Sequence, residues 1–234
     1  MKKHIPNTIT CCNLISGCIA TYWAFNSEYE LALLFIVIGA VFDFFDGMTA
    51  RLLHVSSPIG KELDSLADDI TFGFAPSAII FSWLSGYHFH ELPSPIAFLM
   101  PFTAFIMAAF SALRLAKFNL DSRQSTSFIG LPTPANALFW GSLIVGELPF
   151  LCSQRFNAVF LFLFVLAFSF FLIAEIPLFA LKFKNFSWQD NKVKYLFLIG
   201  CLALLPLGIT AITAIILWYI VLSIGAWQLE RAKK

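Results

Sequence analysis

The chain has 234 residues, of which 59% are hydrophobic, 17% aromatic and only 12% charged, with a mean hydropathy of +0.81 and a formal net charge of +1. So apolar a composition excludes an ordinary soluble domain of this length and predicts an all-α, polytopic integral membrane protein. It offers no basic face for nucleic acid, and its five cysteines, Cys11, Cys12, Cys18, Cys152 and Cys201, lack metal-ligand spacing and read as small apolar residues that pack.

In chain order, the opening MKKHIPN precedes an apolar run with no small-residue cleavage site, interrupted by Asn13, so residues 8–26 read as a first span rather than a signal peptide. Asn7, Thr10 and Asn13 recur on one side of it, where they either meet a bound group or hydrogen-bond another helix. Spans follow at 31–50, 64–85, 95–116, 134–151 and 156–181, each near the length of about 20 residues that crosses a bilayer. Residues 192–227 are too long for one such helix and break at Pro206, Leu207 and Gly208, so they read as a hairpin. The total is eight spans, with residues 1–182 as a six-helix core and 183–234 as a loop and the hairpin. Pro76 is expected to kink the third span. The Phe-rich run 160–171 is expected to face lipid and neighbouring helices.

The basic residues fix the orientation, because short cytoplasmic loops carry the Lys and Arg excess. With eight spans and both termini cytoplasmic, Lys2, Lys3, Arg51, Lys61, Arg114, Lys117, Arg123, Lys182, Lys184, Lys192, Lys194, Arg231, Lys233 and Lys234 fall inside and only Arg155 outside. A seven-span chain would put Arg231, Lys233 and Lys234 across the membrane from the rest.

The second and third spans flank DFFDGMTARLLHVSSPIGKELDSLAD, from Asp43 to Asp68. Asp43, Asp46, Gly47 and Ala50 fall at i, i+3, i+4 and i+7, one stripe of a helix, and Gly60, Asp64 and Asp68 form a second stripe. Carboxylates beside apolar spans need cations or water to offset them, and a pair of hard divalent ions such as Mg²⁺ or Mn²⁺ suits oxygen ligands and displacement at phosphorus. Gly47, Ala50 and Gly60 leave room for a bulky substrate, and Arg51 suits a diphosphate. The competing reading is a cation transporter whose aspartates line a path, although these gather at one membrane edge. Asp69, about 100° round the helix from Asp68, reads as supporting the cluster or facing a loop.

These residues resemble the signature of the CDP-alcohol phosphotransferase family, and Asp43, Asp46, Gly47, Ala50, Arg51, Gly60, Asp64 and Asp68 fill all eight of its positions. The resemblance implies Asp43, Asp46, Asp64 and Asp68 as metal ligands, Asp68 also as the catalytic base, and Gly47, Ala50, Arg51 and Gly60 bordering the CDP group. Asn7 and Thr10 are the further candidates for the nucleotide. IPNTITCCNLISG, LDSLADDITFGFAP, ALRLAKFN and FIGLPTPANA resemble the serine-accepting branch of that family. This implies attack of the L-serine hydroxyl on CDP-diacylglycerol, two divalent cations, a homodimer and an inner-membrane enzyme with its site toward the cytosol.

Arg114, Lys117, Asn119 and Thr133 are the candidates for holding serine. Arg114 and Lys117 also suit snorkelling helix ends, and Thr133 a helix cap. Glycerol 3-phosphate, an inositol phosphate or choline remain alternative acceptors. His4, His54, His88 and His90 are too scattered for a metal cluster, and Glu175 reads as a helix-end contact.

Overall fold

A computed structural model describes residues 4–89, 92–120, 128–153, 155–179, 181, 187–188 and 191–231. Lys2, Lys3, His90, Arg123, Lys182, Lys184, Lys233 and Lys234 lie outside the described residues. Helix α1 (His4–Phe25) turns through Ser27, at φ +61°, into α2 (Tyr29–Leu52), against which it packs along its length. Helix α3 (Pro58–Asp68) begins one and a half turns earlier than expected. The Ser57 hydroxyl accepts the Gly60 N–H at 3.0 Å and Pro58 takes the first helical position, a cap and starter that the Ser-Pro pair already spelled out.

The third rod changes winding just before its proline. Asp69–Phe74 form a π-helical turn in which the Ala75 N–H reaches back to the Ile70 carbonyl, and Pro76 then falls in the first turn of α4 (Ala75–Gly86), where its missing donor costs least. This turn is wedged between the first two helices. The Thr71 hydroxyl donates to the Asn13 carbonyl at 3.0 Å, and Gly17 and Gly39 let α1 and α2 close onto Thr71, where any Cβ would collide. Helix α4 is the buried centre, with Ile79, Ile80 and Leu84 fully enclosed and α1, α2, α6 and α7 around it.

Helix α5 (Ser94–Leu99) continues through a 3₁₀ turn, Met100–Ala104, into α6 (Phe105–Leu120). Strand β1 (Phe128–Ile129) leads to α7 (Thr133–Gly146), the short α8 (Leu148–Leu151) and α9 (Ala158–Ile173). Strand β2 (Pro177–Leu178) pairs antiparallel with β1 in one small ladder within an otherwise helical fold. Gly130 makes it possible. At φ +77° its missing Cβ would stand 2.5 Å from the Leu172 carbonyl oxygen, and Leu131 N–H caps the Phe171 carbonyl at the end of α9.

Helix α10 (Lys192–Leu204) turns at Gly208 into α11 (Thr210–Arg231). The latter docks on α7 through Ser142 and Thr213 hydroxyls 2.7 Å apart and a Thr210 donation to Glu147 at 3.0 Å. Four described helices are long and apolar enough to cross a membrane: His4–Phe25, Tyr29–Leu52, Ser94–Leu120 and Thr210–Leu229. Ala158–Ile173 is a shorter apolar helix. In it Phe168 turns inward and stacks on Phe139 at 4.1 Å, while Phe160, Phe164 and Phe170 stay exposed. The cysteines do not all pack inside as expected. Cys11, Cys18 and Cys152 are exposed, the first two on the apolar outer stripe of α1 with Ile15 and Tyr22, where a small apolar side chain suits the surface as well.

Candidate active site

The last three turns of α2 carry Asp43 and Asp46, and α3 carries Asp64 and Asp68. Oxygens of Asp43, Asp64 and Asp68 lie within 4.8 Å of one another. Asp43 and Asp68 are close enough to share a hydrogen bond. Two ionised carboxylates at such a spacing repel by about 3–4 kcal/mol at an effective dielectric of about 20, so three together call for a cation. All three offer hard oxygen donors and none is sealed off, a set that fits Mg²⁺ or Mn²⁺.

Asp46 stands slightly apart. It is 5% exposed and accepts the Thr10 hydroxyl at 2.6 Å. Asn13 donates its amide to Asp68 at 3.1 Å. The polar stripe of α1 therefore hydrogen-bonds the aspartates of the next two rods through Thr10 and Asn13. Asn7 lines a cavity of about 320 Å³ beside the cluster, between α1, the end of α2 and the start of α3. Thr10, Asp46, Gly47, Ala50, Gly60 and Asp64 line it too, together with Ser56, Ser57 and Lys61.

Gly47 opens onto empty space, as expected for a residue that leaves room. Gly60 has a different role, because a Cβ there would stand 2.9 Å from Ser57 Oγ and 3.0 Å from Asn7 Oδ1, so the glycine lets α1 approach α3. Arg51 does not line the cavity. It is exposed and its Nε donates to the Gly47 carbonyl at 3.0 Å. Lys61, which the sequence reading used only to orient the chain, lines the cavity and donates to the Asn119 carbonyl at 2.9 Å. Its position next to Gly60 was the available signal.

Of the four candidates for the acceptor, two come together. Arg114 on α6 is 8% exposed, lies in the field of Asp68 and donates from Nη1 to the buried Thr133 hydroxyl at 3.5 Å. Thr133 is not the cap of α7, since Pro132 holds that position. Lys117 is exposed. Asn119 is engaged in tying α6 to α3, its amide donating to Ser65 Oγ at 2.8 Å. Asp69 turns toward α6, with a carboxylate oxygen buried and unpartnered. Ser111 and Asn136, which the sequence reading passed over, are buried polar residues of α6 and α7.

A larger cavity, about 750 Å³, opens at the opposite ends of α4, α7 and α9, with Tyr29, Trp83, Tyr87 and Arg155 in its wall. Its described lining contains no carboxylate, so size does not decide the site here; the donor set does.

Residues 3–179 match the family model described as CDP-alcohol phosphatidyltransferase. The chain belongs to this family. The family match takes in the aspartate cluster, the cavity, Arg114 and Thr133, and it ends before α10. A protein of Bacillus subtilis (strain 168) named CDP-diacylglycerol–serine O-phosphatidyltransferase is 34% identical over 185 residues, covering 79% of this chain and 92% of that protein. One of the same name from Helicobacter pylori (strain ATCC 700392 / 26695) is 36% identical over 135 residues, 57% of this chain and 54% of that protein. Another from Saccharomyces cerevisiae (strain ATCC 204508 / S288c) is 35% identical over 174 residues, 63% of this chain and 58% of that protein. The chain thus matches nearly all of the Bacillus protein and about half of the Helicobacter one.

Proposed function

We propose that this protein transfers the phosphatidyl group of CDP-diacylglycerol to the hydroxyl of L-serine, giving phosphatidylserine and CMP. The observation that carries this is the convergence of Asp43, Asp64 and Asp68 beside a nucleotide-sized cavity on one side and the buried Arg114 on the other. The family match and the names of the relatives supply the acceptor.

Asp43, Asp46, Asp64 and Asp68 would hold two divalent cations, Mg²⁺ or Mn²⁺. When bound, these polarise the lipid-linked phosphate and stabilise the departing one. The cavity lined by Asn7, Gly47, Ala50 and Gly60 takes the CDP group, and Lys61 reaches its phosphates. Asp68, steadied by Asn13, takes the proton of the serine hydroxyl. The serine oxygen bonds to the lipid-linked phosphorus, the phosphorus–oxygen bond to CMP breaks, and its electron pair leaves with CMP. Arg114 holds the serine carboxylate. A phosphorylated acceptor fits less well, because Lys117 and Asn119 do not join Arg114 and leave a single buried guanidinium on this side.

The eight helical rods, both termini in the cytosol, the inner membrane and a homodimer complete the reading. Arg51, Lys61, Arg114 and Lys117 gather at the aspartate end and Arg155 at the other, which supports a site open to the cytosol. The test is CMP release by the purified protein in detergent with CDP-diacylglycerol and Mn²⁺ or Mg²⁺. We expect release that depends on both L-serine and metal; release with glycerol 3-phosphate, inositol phosphate or choline instead would overturn the acceptor, and no release with any would favour a cation pathway.

A further inference from the structure

The π-helical turn, α6 and α7 enclose polar atoms that neither the metal cluster nor the nucleotide cavity uses. Asp69 Oδ1, Ser111 Oγ, Arg114 Nε and both amide atoms of Asn136 are buried without a hydrogen-bond partner. Ser111 and Asn136 are fully buried. Buried polar groups are rarely left unpaired, so several in one place mark a pocket made for something that pairs with them.

They belong together. A Cβ on Gly73 would stand 2.7 Å from Asp69 Oδ1 and 2.9 Å from Ser111 Oγ, so the carboxylate and the hydroxyl both border the space left by the missing side chain of Gly73. Ser111 and Arg114 lie three apart on α6, Thr133 and Asn136 three apart on α7, and the Arg114–Thr133 contact joins the two faces. Both helices pack on the π-helical turn. Arg114, in the field of Asp68, connects this group to the reaction centre.

Resting on the serine reading above, we propose that Asp69, Ser111 and Asn136 are specificity-determining residues that bind the α-ammonium of the amino-acid acceptor, while Arg114 binds its carboxylate. An ammonium carries three donors and no acceptor. The Asp69 carboxylate, the Ser111 hydroxyl and the Asn136 carbonyl supply acceptors, and the negative charge of Asp69 opposes that of a phosphorylated or ammonium-free acid. An alcohol without the ammonium leaves these groups buried and unpaired, the circumstance in which enzymes discriminate most strongly.

The test uses the full-length protein in detergent with CDP-diacylglycerol and Mn²⁺, measuring CMP release with L-serine, L-glycerate, which lacks the ammonium, and ethanolamine, which lacks the carboxylate. Asp69→Asn is expected to raise KM for L-serine about tenfold or more, leave KM for CDP-diacylglycerol unchanged and narrow the preference for L-serine over L-glycerate by a similar factor. Asn136→Leu should act in the same direction with Tm unchanged or higher, because it replaces an unpaired amide by an apolar group of similar size. Ser111→Ala removes one acceptor with almost no change in volume and guards against misfolding of the other two. Unchanged serine KM and unchanged discrimination in an active set of variants, or an equal loss with every acceptor, would overturn the head pocket alone. Failure of the unsubstituted protein to release CMP with L-serine would overturn the serine reading and this pocket with it.

Discussion

Thr10 shows how much of the site depends on side chains far from it in sequence. Its hydroxyl donates to Asp46 at 2.6 Å across 36 residues of chain, and removing such a bond to a buried charged group costs about 1.5–3 kcal/mol. Thr10→Val, which keeps the volume, is therefore expected to lower turnover about tenfold or more and to raise the metal concentration needed for half-maximal rate. Asp64→Asn would remove one of the proposed metal ligands outright and should cost at least about a hundredfold, as losses of groups that stabilise developing charge do. Near-normal rates in Asp64→Asn would refute the metal assignment, and the CMP assay reads both. That Asp43 and Asp46 share one stripe and Asp64 and Asp68 another was legible from spacing alone, because a helix fixes which residues share a stripe. Their partners were not, because nothing in the spacing of Asn7, Thr10 and Asn13 says which aspartate each will face. The same holds for Arg51: its charge is visible in the sequence, but its rotation toward the Gly47 carbonyl is not.

At the scale of elements, the first three rods depend on close backbone approach. Gly17 sits against the backbone of Thr71, and Gly47 has nothing within 4 Å of where a side chain would begin. Gly17→Ala should thus force α1 off the π-helical turn, cost about 1–3 kcal/mol and lower Tm in detergent. Gly47→Ala should leave Tm unchanged and raise KM for CDP-diacylglycerol, since its methyl enters the nucleotide cavity. Thermal melts of the two variants side by side check this, and equal Tm losses would contradict it. The sequence announced that Pro76 would disturb its helix but not how. Whether a proline kinks a rod or follows a π-helical turn depends on what neighbours it, here Asn13, Gly17 and Gly39 receiving Thr71. The β1–β2 ladder was unreadable because two-residue strands carry no periodicity.

For the whole molecule, the two ends differ in chemistry. Carboxylates, Lys61 and Lys117 mark one, while aromatics and Arg155 mark the other. If that polarity follows the membrane, an impermeant maleimide should label Cys152 from outside sealed right-side-out vesicles, while a Lys117→Cys variant lacking Cys152 should react only in inverted ones; the reverse pattern would invert the topology. The order of building also follows from where the parts lie along the chain. Every aspartate of the cluster and both residues that steady them, Thr10 and Asn13, occur before residue 70, whereas Arg114, Thr133 and Asn136 come from α6 and α7. During synthesis the proposed metal-binding half, with Asp69 beside it, is complete when less than a third of the polypeptide has emerged, and the rest of the proposed acceptor pocket is added to it afterwards. On the proposed reading, mutations in the later segment can therefore alter the choice of alcohol while the aspartates that would split the diphosphate stay untouched.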